Sequence, residues 1–136
     1  MKVFAAVAAI VGGMLLLVIP RFVFPACEYL GRGRMHCTDA AHGEFLVGGL
    51  LVAAGAALLL LKTGTTSILA AAIAVLLCAA AFFVPAYTRY CANPDMACHY
   101  GMVPSIRFIA IAVGVVEVAA LTGLVRAAKR RDARSI

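Results

Sequence analysis

Four cysteines, Cys27, Cys37, Cys91 and Cys98, fall in two short polar stretches, and each stretch ends in a small sulfur-bearing pattern. The first reads Met35-His36-Cys37 and the second Met96-Ala97-Cys98-His99. Thiols, thioethers and imidazoles are the side chains that form disulfides or hold soft metals. Cys27 and Cys37 are ten residues apart, and Cys91 and Cys98 are seven apart. Either pair could close a disulfide, but four cysteines admit three pairings, so spacing leaves the connectivity open. One staple in each loop would contribute about 2–4 kcal/mol apiece by removing loop entropy. A single loop-to-loop cross-link is the structural variant. Thiol–disulfide catalysis is disfavoured, because no Cys-x-x-Cys occurs. The expectation is therefore no cofactor. The alternative is a metal, copper or zinc, or a haem, held by Met35, His36, His42, Met96 and His99. Covalent haem is not indicated, since Cys-x-x-Cys-His is absent. Cys78, among alanines, reads as a small buried hydrophobe.

These loops need something to carry them. The chain has 136 residues, 65% apolar and only 13% charged, against about a quarter charged for soluble domains. Four apolar runs, residues 3–19, 45–61, 67–84 and 106–125, approach the roughly 20 residues that cross a hydrocarbon core. The expected fold is all-α: a single membrane domain over residues 1–136, a four-transmembrane-helix bundle with loops at 20–44 and 85–105 and a basic tail at 126–136. The first run is expected to remain as a helix. It is long for a signal-peptide core, and no small-x-small cleavage site follows it.

The layout is a repeat of two helical hairpins. Each loop opens with a proline, Pro20 or Pro85, then carries an aromatic residue, a first cysteine and a Met-x-Cys. Proline cannot continue a helical hydrogen-bond ladder, so both are expected to end helices. Hairpins of equal handedness imply a pseudo-two-fold axis along the membrane normal. Between them, Lys62-Thr63-Gly64-Thr65-Thr66-Ser67 is a tight turn, with Thr66 or Ser67 placed to cap the next helix. Ala9/Gly13, Gly49/Ala53 and Ala119/Gly123 repeat at four-residue spacing. In lipid, small residues hold helices together by letting backbones approach.

Seven cations, Lys2, Lys62, Arg126, Lys129, Arg130, Arg131 and Arg134, fall on the side of the termini. Five, Arg21, Arg32, Arg34, Arg89 and Arg107, fall on the side of the cysteine loops. The positive-inside rule then places both termini in the cytoplasm and the cysteine loops outside a plasma (inner) membrane. An oxidising exterior agrees with disulfides there. The net charge of +6 comes largely from the tail beside a helix, which suits anionic lipid headgroups and gives no reason to invoke nucleic acid.

Glu117 stands near the centre of the fourth run, between Val116 and Val118. An ionisable group at that depth costs several kcal/mol unless it is protonated, paired or facing water. No Lys, Arg or His lies at matching depth in the other runs. Three possibilities stand: a protonated acid bonded to a backbone carbonyl or to Thr122, a polar cavity or proton path, or a contact to another protein. Glu44 and Arg107 are expected at helix ends, where they are unremarkable.

With both loops in view, the chain resembles an uncharacterised family of small four-span bacterial and archaeal membrane proteins whose external loops carry Cys…Met-x-Cys-His motifs. Met96-Ala97-Cys98-His99 fits that motif, whereas Met35-His36-Cys37-Thr38 departs from it, with histidine before the cysteine. The resemblance implies no assigned activity. It does imply a neighbourhood with ABC-type transporters, and so a membrane subunit or accessory. The functional expectation is a non-enzymatic integral membrane protein packing with a larger membrane complex, an ABC-type transporter being the implied one, or with itself as a homo-oligomer. No nucleotide-binding Gly-x-x-x-x-Gly-Lys-[Ser/Thr] is present. A small oligomeric transporter is the weaker alternative.

Overall fold

Ala, Leu, Val and Gly in unbroken runs leave the backbone to satisfy itself, and in this chain it does so by helices. The computed structural model describes residues 2–23, 36–61, 64–87 and 98–133. Helix α1 spans Lys2–Val18 and runs into a π-helical turn at Ile19–Val23. Helix α2 spans His36–Leu60, and α3 spans Thr65–Tyr87. A second π-helical turn, Cys98–Met102, leads into α4, Val103–Asp132. All four helical segments are long and apolar enough to cross a membrane. The chain has the make-up of a multi-pass membrane protein, and the described residues contain no strand.

The helices form a closed ring. α1 packs on α2 and α3 on α4, which are the two hairpins; α2 also meets α3, and α1 meets α4. That leaves α2 opposite α4, and α1 opposite α3, across the diagonals of a square. Small residues fill the inside, with Ala5, Ala6, Ala9, Ala71, Ala74 and Ala81 all buried. Large apolar side chains such as Phe4, Leu46, Leu76 and Phe108 point outward. Water would oppose such a distribution, and lipid does not.

The inward positions recur every three or four residues: Ala40, Glu44, Gly48, Leu51, Ala54 and Leu58 on α2, and Ile106, Ala110, Val113, Glu117 and Ala120 on α4. This is the 3.5-residue period of knobs-into-holes packing. The closest approach joins α1 to α2. A Cβ on Gly13 would stand 2.7 Å from the Gly48 carbonyl oxygen, and one on Gly48 would stand 2.9 Å from that of Gly13. At this crossing the two backbones touch.

Several boundaries differ from those expected of the sequence. α2 starts at His36, not 45, taking the last turns of the expected loop; Asp39 in its first turn complements the helix dipole there. α3 runs through Pro85 to Tyr87. The lost donor and the clash with a carbonyl one turn back fall near the end of α3, where neighbouring groups can absorb them. Pro20 lies within the first π turn, a widened turn of the kind that accommodates such a break. The segment expected as a tail is helical as far as Asp132, since Ala, Arg and Lys are strong helix formers.

At the tail end of the bundle three hydrogen bonds set the geometry. Lys2 Nζ donates to the Leu61 carbonyl, tying the start of α1 to the end of α2. The Gly64 N–H donates to Ser67 Oγ at 3.2 Å, and that hydroxyl donates back to the Gly64 carbonyl at 2.8 Å. Ser67 therefore anchors the start of α3, while Thr66 is exposed. Ser67→Ala is expected to lower unfolding stability by about 1 kcal/mol, read as a fall in melting temperature in detergent, with Thr66→Ala close to neutral.

Candidate functional site

Two carboxylates occupy the bundle interior. Glu44 and Glu117 are each fully buried, and none of their four oxygens has a hydrogen-bond partner. Both sit on the inward stripes of α2 and α4, the diagonal pair, so both project toward the bundle axis. The Thr122 hydroxyl, one expected partner of Glu117, donates instead to the Ala119 carbonyl at 2.8 Å on the exposed side of α4. Glu117 is enclosed by its own chain. In this conformation it is out of reach of a neighbouring protein.

Glu44 is the residue that sequence reasoning missed. Placed at a helix end, it looked ordinary. With α2 beginning at His36 it stands more than two turns inside the helix, on the same stripe as Ala40, Gly48 and Leu51. The signal was present: carrying the heptad spacing back from Leu58 through Leu51 and Gly48 lands on position 44.

The relative heights of the two acids follow from close contacts around the ring. By way of α1, Gly48 lies against Gly13, and Gly12 lies against Val113. By way of α3, Gly43 lies against Val84, six residues beyond Cys78, which faces Gly114. Both routes place Glu44 level with residues 108–109 of α4. At about 1.5 Å per residue, Glu117 is then roughly 12 Å farther toward the tail end.

Arg107 stands close to the Glu44 level, one or two residues away along α4. At a helix end it is expected to be unremarkable. Instead it is half-buried, its Nε is buried without a partner, and its guanidinium lies 5.4 Å from the Phe82 ring centroid. Phe83 meets Phe82 edge-on, with centroids 5.3 Å apart and planes at 86°. A guanidinium over an aromatic face contributes about 0.5–2 kcal/mol, depending on desolvation. Cys78 is buried as a free thiol near the middle of α3.

Of the loop residues, Cys27, Met35, Cys91 and Met96 lie outside the described residues. His36 and Cys37 fall in the first turn of α2, and Cys98 and His99 open the second π turn. The two helix starts bring these positions to the same end of the bundle. His42 and His99 are exposed. Among the described residues, no three His, Cys, Asp or Glu side chains gather closely enough to hold a metal.

The outward surface carries one further feature. Gly49 and Ala53, spaced one turn apart on α2, are exposed, and a Cβ on Gly49 would meet nothing within 4 Å. Ala9 and Gly13, the similar pair on α1, are instead consumed by the α1–α2 contact.

A family model described as a domain of unknown function (DUF4418) matches residues 9–124, which takes in the greater part of all four helices. No curated protein and no solved structure matches the chain.

Proposed function

The chain belongs to this family, and because membership brings no assigned activity, we propose that it serves as a non-enzymatic integral membrane subunit that packs against a larger membrane complex. The observation that carries this reading is the Gly49–Ala53 stripe. It is a small-residue face of the kind that lets helices approach closely. The chain uses Ala9 and Gly13 for its own packing, whereas this face it leaves open, flanked by exposed Phe45, Leu46 and Leu50. An ABC-type transporter is the partner class that the family resemblance implies. In this reading the membrane is the plasma membrane, with the termini cytoplasmic and the cysteine loops outside.

The test is co-purification after gentle extraction. Gly49→Phe and Ala53→Phe should leave the melting temperature almost unchanged, because both positions are open, yet lower partner recovery several-fold. Recovery of the variant chains with undiminished partner would sink the proposal, and a chain that purifies only with itself would replace the complex by a homo-oligomer.

In this reading the four loop cysteines act as staples for the external face. Alkylation of the denatured, unreduced protein should then label Cys78 alone, and reduction should expose four more thiols by intact mass. Free loop thiols would favour the second reading, in which metal or haem is held at that end. Its support is the placement of His36, His42 and His99 at one end of the bundle. Native mass spectrometry would show the added mass.

A further inference from the structure

We propose that Glu44 and Glu117 are two stations of a proton path along the bundle axis, each taking up a proton and passing it on. This goes beyond the subunit reading and does not depend on it. An unpaired buried carboxyl is costly, because burial removes its water without supplying another partner. Ionisable groups inside a membrane bundle mark ion and proton routes more often than they serve packing. Here there are two, on diagonal helices, both aimed at one axis.

Their spacing suits the role. Glu44 is five residues, about 7.5 Å, below Asp39, the exposed residue at which that span begins. Glu117 is roughly 12 Å farther on. From Glu117 to Leu124 is seven residues, about 10 Å, and Leu124 lines a groove of about 270 Å³ with Gly64, Ser67, Ala128 and Arg131. The two acids thus divide a hydrocarbon core of about 30 Å into three comparable steps. Each step exceeds direct transfer, which needs heavy atoms within about 3 Å, so the proton must travel through water between stations. Gly12, Gly48 and Gly114 lie between the acid levels beside the buried Leu51 and Val113, so water passes between the stations only when those two side chains swing aside.

Few other groups face the path. α1 carries no titratable residue between Lys2 and Arg21, and α3 contributes only the Cys78 thiol between the two levels. From α4, Arg107 stands near the Glu44 level, and on α2 the neighbours Asp39 and His42 are exposed. Each transfer breaks one carboxyl O–H bond as an O–H bond forms on the accepting water, with no electron moved and no co-reactant needed beyond a proton gradient.

The experiment uses the full chain in liposomes, with E44Q, E117Q and the double variant. Infrared spectra should show a carboxylic-acid C=O band for each glutamate, lost in its Gln variant, and both bands should shift rapidly in D₂O. Vesicles loaded with a pH-sensitive dye and given a potassium diffusion potential should take up protons. Each single variant should cut that rate by about a hundredfold. Bands that resist exchange for hours would show sealed structural acids and overturn the path, as would wild-type uptake equal to that of empty vesicles. If a Gln variant fails to fold, as judged by circular dichroism, wild-type exchange and uptake still decide.

Discussion

Gly48→Val is expected to separate α1 from α2 and to be among the most damaging single substitutions in the bundle. The new Cβ would meet the Gly13 carbonyl oxygen at 2.9 Å and Leu16 Cβ at 3.1 Å. Neither is the free end of a flexible side chain. Overpacking usually costs about 1–3 kcal/mol, and an obstacle made of backbone puts this substitution at or above the top of that range. In lipid there is no compensating hydrophobic drive to push the helices back together, so lost contact is not recovered elsewhere. The measurement is thermal or denaturant unfolding in detergent, with Gly49→Val as the companion. That neighbour has open space around its Cβ and should change stability by no more than about 0.5 kcal/mol. Equal damage at both positions would mean that helix propensity, rather than the close crossing, governs the result.

Glu44→Leu and Glu117→Leu should do the reverse. Each removes a carboxyl that has lost water and found no partner, and replaces it with an apolar side chain of similar volume on an apolar stripe. Burying an unpaired polar group costs roughly 2–7 kcal/mol, so each substitution is expected to raise stability by at least about 2 kcal/mol. The two acids are far enough apart, at roughly 12 Å along the axis, for the gains to add. Higher melting temperatures in both single variants and a larger rise in the double would identify these acids as groups kept for function at the expense of stability. A lower melting temperature in either would show that its carboxyl holds the bundle together.

Much of the fold could be read from hydropathy alone, because a run of Ala, Val and Leu nearly twenty residues long has few alternatives to a helix in lipid. The adjacency of α2 and α3 followed from the tight turn before Ser67, and the inward place of Ala9 and Gly13 from their spacing, whereas Gly49, Ala53 and Ala119 at the same spacing face outward. What escaped was end geometry. Proline is expected to stop α3, yet Pro85 is housed near its last turn, and residues His36 to Glu44, which read as loop, wind into α2. Polarity marks where a chain can meet water, not where its helix begins. That shift hid Glu44, which became interior only once α2 was lengthened. Glu117 was legible as an anomaly, but not its surroundings: which way a mid-helix acid faces depends on the phase of the whole stripe. Thr122, one of the possible partners, is out of reach for the same reason, since five residues along a helix place the two side chains on different faces.

α4 has one more property that follows from its length. Thirty residues make a rod of about 45 Å, half as long again as the hydrocarbon core of about 30 Å. Its last turns, with exposed Arg126, Lys129, Arg130 and Arg131, therefore stand beyond the membrane as a stiff handle. No proline interrupts the rod after Pro104, so a torque applied to the handle is carried along the shaft to Glu117. The four cations and the Glu117 carboxyl thus belong to one uninterrupted helix.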